Sequence, residues 1–489
     1  MTVHLKNNPY ADESQKQYTE TRIKHWEKII LDESSRRGLG KYYQKRLAEI
    51  YQFSIPPQSR VLEIGSGEGD LLKALNPSYG VGIDFSPEMI TKAKDKHPGI
   101  RFEICDAHNL NLNETFDFII LSDLVNDLWD VQRVFEEIKK VSHRQTRIIL
   151  NFYSRIWEKP LSLAKALKLA RPTLPQNWLT QEDLRNLLSL AGFEVIRSSQ
   201  EILCPFPIPL LSAFLNRYLV KIFPFNSLAL TNFIIAKPNS SLESTADNSQ
   251  QISVSVIVPA RNEAGNMREI FERTPQMGKG TELIFVEGHS SDDTYGTIEK
   301  LIPEFPGQKS ALFRQPGKGK GDAVRHGFSK ASGEILMILD ADITVVPEDL
   351  EKFYTILSSG KADFVNGVRL VYPMEKQAMR FLNLLANKFF SFAFSWLLGQ
   401  HIKDTLCGTK VLRKEDYLKI LENRKYFGDF DPFGDFDLIF GAAKLNLKMV
   451  DLPIRYRERK YGTTNIQRWK HGWLLLRMVF FAARKIKFI

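Results

Sequence analysis

Two groups of glycines and carboxylates, one in each half of the chain, hold the residue types that could do chemistry. In the first, Gly65-Ser-Gly-Glu-Gly69 follows the apolar run Arg60-Val-Leu-Glu-Ile64 and precedes Asp70-Leu-Leu-Lys-Ala-Leu75. Glycines between a strand and a helix let backbone approach a ligand closely. Asp84 stands 19 residues after Gly65, at the end of Gly80-Val-Gly-Ile83, where a carboxylate can accept both hydroxyls of a ribose. Asp106 ends the run Arg101 to Cys105, and Ser122-Asp123 ends Asp117-Phe-Ile-Ile-Leu121, so acidic strand ends surround one crevice.

The second group repeats that logic with different spacing. Val258-Pro-Ala-Arg-Asn-Glu263 and Phe285-Val-Glu-Gly-His-Ser-Ser-Asp-Asp-Thr294 again end strands in acids. Gly319-Lys-Gly-Asp-Ala323 offers a glycine-flanked lysine suited to phosphate, and Ile338-Leu-Asp-Ala-Asp342 ends a buried strand with two carboxylates on one side. Such a pair can hold a divalent cation that bridges a diphosphate.

Positioning these groups takes alternating strands and helices. That alternation runs through residues 60–236 and stops at the polar stretch Pro238 to Gln251, which reads as a linker. It resumes at Ser253-Val-Ser-Val-Ile-Val258, with apolar runs at 282–287, 309–314, 334–339 and 363–371. The fold class expected is α/β in two domains, residues 1–238 and 252–489, joined by 239–251. Charged helical stretches such as Lys16 to Arg37 are expected to cover the first sheet.

Composition agrees with two globular domains: 489 residues, 43% hydrophobic and 25% charged. Only Cys105, Cys204 and Cys407 occur, which excludes a disulfide scaffold and points to a reducing compartment. No clustered Cys/His spacing suggests structural zinc. The net charge of +10 is spread along the chain with no nucleic-acid-binding motif, so anionic small molecules and anionic membrane surfaces are the expected partners. MTVHLKNNPY lacks an apolar core of the signal-peptide kind, so a cytoplasmic location is expected.

VLEIGSGEGDLL, GIDFSPEMI, ICDAHNL and FDFIILSDLVNDLWD together resemble the class I S-adenosylmethionine-dependent methyltransferases over about residues 45–237. The resemblance implies a Rossmann-like, mostly parallel seven-stranded sheet ending in an antiparallel hairpin. It implies that Glu63, Gly65, Ser66, Gly67 and Gly69 hold the cofactor, with the loop against its methionyl part. Asp84 would bind ribose, and Asp106 and Ala107 would flank adenine. A nicotinamide dehydrogenase of related topology uses GxGxxG, and Glu68-Gly69 breaks that spacing. Asp123, Asp127, His108 and Tyr153 remain alternatives for a base on the acceptor side, with His108 more simply read as a solvated loop residue. Leu203 to Phe225 is apolar and proline-rich, and reads either as a lid over the acceptor pocket or as a flap touching a membrane.

The second half resembles the family 2, GT-A-fold glycosyltransferases, in the branch of dolichol- and polyprenyl-phosphate sugar transferases. Asp404-Thr-Leu-Cys-Gly-Thr-Lys410, Gly434-Asp-Phe-Asp-Leu438 and Leu452 to Thr464 extend the match. By that resemblance Pro259, Asn262, Glu263, Glu287 and Asp292 contact the nucleotide and Lys320 its phosphates. Asp340 and Asp342 would meet ribose, diphosphate and Mg²⁺ or Mn²⁺, with Asp342 catalytic. Glu287 stands where Asp is usual, and His289 where Gly is usual. A phosphate acceptor is already nucleophilic at neutral pH, whereas a sugar hydroxyl needs a carboxylate such as Asp437 or Asp435 to take its proton. Arg457 and Arg459, beside Glu458, suit an anionic acceptor or diphosphate. Gln467-Arg-Trp469 lacks the spacing of the processive synthases, QxxRW, which favours one sugar added per encounter.

Arg380 to Leu398 carries Asn383, Asn387, Ser391 and Ser395 on one stripe, which predicts an amphipathic helix. Trp469 to Ile489, with Lys470, Arg477 and Arg484 seven apart, reads as a basic interfacial helix. Burial of both helices is the plainer reading, and peripheral contact with the inner face of the cell membrane the preferred one. The expected function is a bifunctional transferase of envelope-glycan assembly. It would use S-adenosyl-L-methionine and a nucleotide-diphospho-sugar, with a polyprenyl-phosphate or glycolipid acceptor. The alternatives are one catalytic domain with a docking partner, or a soluble enzyme acting on a small metabolite.

Overall fold

Near-continuous apolar runs build the strands, as a sheet covered on both faces requires. In the computed structural model, strands β1 (Arg60–Ile64), β2 (Tyr79–Asp84), β3 (Arg101–Ile104), β4 (Phe116–Ser122), β5 (Ser142–Tyr153), β6 (Phe193–Glu201) and β7 (Thr231–Pro238) form one seven-stranded sheet. Its order is β3-β2-β1-β4-β5-β7-β6. The first five strands run parallel, and β7 lies antiparallel between β5 and β6. Alternation along each strand feeds two cores: Leu62, Ile64, Ile119 and Leu121 on one face, Val61, Phe118 and Ile120 on the other.

A second seven-stranded sheet contains β8 (Val254–Ala260), β9 (Thr281–Glu287), β10 (Ser310–Arg314), β11 (Ile335–Ile338), β12 (Phe364–Val368), β13 (Lys410–Arg413) and β14 (Met449–Pro453). The order is β10-β9-β8-β11-β13-β12-β14, with only β13 antiparallel to its neighbours. The chain divides into two compact units, Met1–Asn239 with Phe488–Ile489, and Ser240–Lys487.

The structure describes residues 9–31, 40–167, 172–239, 252–369, 371, 381–428, 434–457, 459, 461 and 468–489. Residues 240–251 of the expected linker lie outside these, as do Arg37, Glu458, 462–464 and Gln467.

The two helices expected to be amphipathic each bury one face. In Phe381–Leu398, Ser391 and Ser395 donate to Ile402 O at 2.8 and 3.1 Å, so these polar groups face the protein. Phe389, Phe392 and Trp396 are left exposed instead. The last helix runs Arg468–Ala482 and widens to a π turn over Ala483–Lys487. Leu475, Met478, Ala482 and Ile486 are buried along it, while Trp473, Arg477, Phe480 and Arg484 share an exposed face. Among the described residues no helix is long and apolar enough to cross a membrane.

Candidate functional site

Parallel strands present their C-terminal ends on one edge, and the first group of residues gathers there. Gly65, Gly67 and Gly69 have φ of 73°, 51° and 78°, a backbone path that side chains resist. A Cβ on Gly67 would meet nothing within 4 Å, so the outer flank of the loop is open. Asp84 closes the loop from below, accepting Gly67 N–H at 3.0 Å and Ser86 N–H at 2.9 Å. Burial raises its pKa above the usual carboxylate range. Each oxygen keeps a further lone pair for a hydroxyl donor.

Gly65, Asp84, Asp106 and Ala107 line one cleft. Glu63 does not reach it. Buried in the sheet, its carboxyl accepts Leu72 N–H at 3.1 Å and anchors the helix Asp70–Ala74, and burial pushes its pKa up to about 8. Ser66 Oγ is buried too, against Gly82.

His108 also lines the cleft and is not a solvated loop residue. Its Nδ1 is 2.7 Å from Asp106 Oδ1, while its Nε2 accepts Asp130 N–H at 3.1 Å, so both ring nitrogens are engaged. Burial opposes ionisation of Asp106, but the bonds from His108 outweigh it and hold that carboxyl below its usual range.

The roof comes from the helix Pro9–Leu31, whose cleft residues the sequence pattern did not reveal. Tyr18, Thr19 and Arg22 line the cleft with Asp127 and Trp129. Tyr18 meets Trp129 edge to face at 5.0 Å, and the Arg22 guanidinium lies 3.5 Å from the centre of the Tyr18 ring. At the end of β4, Asp123 has φ 54° and accepts Tyr43 O–H at 2.9 Å and Asn151 N–H at 2.5 Å. Burial pushes its pKa up to about 7.

In the second unit the loops after β8 and β9 are laced together. Asn262, at φ 57°, accepts Ser291 N–H at 2.7 Å, and its own N–H donates to Ser290 Oγ at 3.0 Å. Asp292 accepts Ala264 N–H at 3.3 Å and Thr294 N–H at 3.1 Å. Glu287 accepts Ser290 N–H. His289 has φ 57°, the left-handed conformation that glycine adopts without strain. Pro259 lies within β8.

The carboxylates past β11 each hold a cation. Lys320, first residue of the helix Lys320–Lys330, places Nζ 2.6 Å from Asp340 Oδ1. Burial opposes the charged form of Asp340, and the Lys320 ammonium overrides it and lowers the pKa. Gly408 covers this pair, and a Cβ there would overlap both side chains. Asp342 accepts Thr344 Oγ1 at 2.8 Å, and Arg459 spans from Asp342 Oδ2 (2.8 Å) to Glu263 Oε1 (3.1 Å). Burial pushes Glu263 up to about 7 against the pull of Arg459.

Two further ion pairs flank these. Arg369 grips Asp404 through Nε at 2.7 Å and Nη2 at 2.9 Å, and Lys410 Nζ is 3.2 Å from Asp435 Oδ1. Both lie in or beside the Asp404 to Lys410 stretch, whose charged residues were the signal available in the sequence. Asp437 is not brought together with them. Two residues along a helix turn a side chain by about 200°, and Asp437 Oδ2 sits 3.2 Å from both Arg325 Nη1 and Arg424 Nε in a neighbouring cleft.

Among the described residues no group of three His, Cys, Asp or Glu is arranged for a metal. Magnesium at phosphate-handling sites takes one or two carboxylates and completes its shell with water and substrate phosphates. The donor chemistry of Asp340 and Asp342 fits a cation held together with a diphosphate.

Comparisons with known proteins divide along the same line. Residues 55–192 match the family described as methyltransferase domain, and residues 255–421 match glycosyl transferase family 2. The chain carries one domain of each kind. Dolichol-phosphate mannosyltransferase of Pyrococcus furiosus is 31% identical over 168 residues, covering 34% of this chain and 47% of that protein. Undecaprenyl-phosphate 4-deoxy-4-formamido-L-arabinose transferase of an Enterobacter species is 24% identical, over 43% of this chain and 61% of its own length. The chain thus spans less than two thirds of either relative. A solved SAM-dependent methyltransferase from Thermotoga maritima aligns with TM-score 0.33 and 18% identity, over 45% of this chain and 98% of its own.

Proposed function

We propose that the chain is a bifunctional transferase: the first unit moves a methyl group from S-adenosylmethionine, and the second moves a sugar from a nucleotide-diphospho-sugar to a polyprenyl-phosphate or related glycolipid. One observation carries the reading. Each sheet edge gathers a donor-sized set of groups, Asp84 with the open glycine loop in one unit and Asp340, Lys320, Asp342 and Arg459 in the other.

In the first unit, Asp84 accepts the ribose hydroxyls and Asp106 and Ala107 border the adenine. A positive sulfur is already a good leaving group, so the work of the protein is alignment and exclusion of water. Asp123, titrating near 7, is suited to receive a proton at neutral pH.

In the second unit, Asp340 and Asp342 would hold Mg²⁺ or Mn²⁺, which neutralises charge on a departing nucleoside diphosphate. Lys320 and Arg459, now paired to those carboxylates, are the cations for phosphate oxygens. Asp435, tied to Lys410, is the carboxylate on this side for a hydroxyl acceptor, and a phosphate acceptor needs none.

The two relatives named for dolichol and undecaprenyl phosphates support a lipid-linked acceptor. The exposed row Trp473, Arg477, Phe480 and Arg484 supports peripheral contact with an anionic membrane face. Incubation of the full chain with a panel of nucleotide sugars, with Mg²⁺ or Mn²⁺, and measurement of nucleotide release tests the sugar reaction. Release that Asp342→Ala abolishes is expected; release unchanged by that substitution would refute the site.

A further inference from the structure

We infer that residues 206–228 of the first unit form a membrane-inserting surface selective for anionic bilayers. This deepens the membrane reading above by naming a surface in the other unit, and draws on that reading only for the nature of the partner.

The segment is inside out for a water-soluble protein. Its helix Leu211–Arg217 buries Ser212 and Asn216, and the following turn buries Val220. Leu211, Phe214 and Ile222 are exposed, while Tyr218 beside them meets Phe488 with ring centres 5.4 Å apart. Its two tips are Leu210, 89% exposed, and Phe223, 80% exposed. Leu210 has φ 59°, a conformation costly for leucine, so strain is spent on holding an apolar side chain in water.

Loose packing does not account for this exposure. Asn216 Oδ1 accepts the N–H groups of Leu203 and Cys204, both at 2.8 Å, and its Nδ2 donates to Cys204 O at 2.6 Å. Trp157 Nε1 donates to Leu228 O at 2.9 Å and ties the segment to the neighbouring turn.

Charge selects the occupant. Residues 202–238 contain no Asp or Glu, and their charged side chains are Arg217, Lys221 and Lys237. Lys221 is paired with Glu201, exposed Arg217 donates from Nε to Phe488 O at 2.9 Å, and at the border exposed Arg155, Glu158 and Lys159 surround Trp157 with a net positive charge. Aromatic and aliphatic tips with a basic rim match the headgroup and acyl boundary of an anionic bilayer.

The full chain is tested with an environment-sensitive nitrobenzoxadiazole label on Leu210→Cys or Phe223→Cys, the identically labelled parent serving as control. Phosphatidylcholine vesicles with and without phosphatidylglycerol are added, and vesicle pelleting is measured on the same samples. Expected are a blue shift of both labels with anionic vesicles and a smaller one with neutral vesicles. Vesicle affinity of unlabelled Leu210→Asp/Phe223→Asp should fall roughly tenfold or more, with the melting curve unchanged. Pelleting with unshifted labels would place membrane contact elsewhere and overturn this surface alone. No pelleting at all would overturn the membrane reading with it. A concentration-dependent blue shift without vesicles would assign the face to a second copy of the chain and also overturn the proposal.

Discussion

Beside the first candidate site three carboxyls lean on neutral donors, and beside the second four lean on cations. Glu63 meets a backbone N–H, Asp84 two of them, and Asp123 a tyrosine hydroxyl and an amide. Asp340, Asp342, Asp404 and Asp435 face Lys320, Arg459, Arg369 and Lys410. The contrast follows through to charge. Burial wins in the first set and raises Glu63, Asp84 and Asp123, whereas the neighbouring cations win at Asp340 and Asp404 and lower them. Burial also wins in the second unit at Glu263, against the pull of Arg459, and at Asp451. On the proposed reading, the cations stored against the second unit's carboxylates are the groups that would meet donor phosphates.

The comparison can be broken most sharply at Gly408. Gly408→Ala pushes a methyl into the Asp340 and Lys320 pair, and a loss of nucleotide release of roughly a hundredfold or more is expected, with S-adenosylmethionine binding intact by calorimetry. A smaller effect belongs to Lys320→Met, which leaves Asp340 uncompensated. About 2 kcal/mol of stability should be lost in the transition of the second unit, read by denaturant titration.

Opposite pH trends in the two units sharpen it further. Glu63 has its folded pKa raised from 4.5 to about 8, so its stability contribution is full below about 4.5 and is lost as pH climbs through 8. Glu63→Gln should flatten that loss at pH 8–9 by up to a few kcal/mol. Asp340 and Asp404 have lowered values, so their contribution is present above the ordinary carboxylate range and is lost as pH falls below about 4. Scanning calorimetry across pH should show Glu63→Gln relieving a loss in base and Asp404→Asn removing a contribution that the parent loses only in acid; the same pH trend for both variants would remove the contrast.

Much of this was legible because apolar runs ending in acid or glycine mark strand ends in a parallel sheet. Asp84, Asp106, Asp340 and Asp342 stand where that rule puts them. What it could not supply was direction around a helix and contact across sequence. Asp435 and Asp437 look alike in the chain, and only the helix phase sends one to Lys410 and the other to two arginines. Glu63 sits in the strand before the loop, yet points at Leu72 rather than at the cleft. The roof of that cleft, Tyr18 and Arg22, lies far from it in sequence and carries no motif. The polar stripe of Phe381–Leu398 marked one face of that helix in the sequence, but not that Ile402 O takes the serine hydroxyls.

Cross-titration of two variants against both donors tests the central claim, one independent donor site per unit. Asp84→Asn is expected to weaken S-adenosylmethionine binding roughly tenfold or more while nucleotide release from the sugar donor is unchanged, and Asp342→Ala is expected to do the reverse. Loss of both activities in either variant, or of neither in both, would contradict the account.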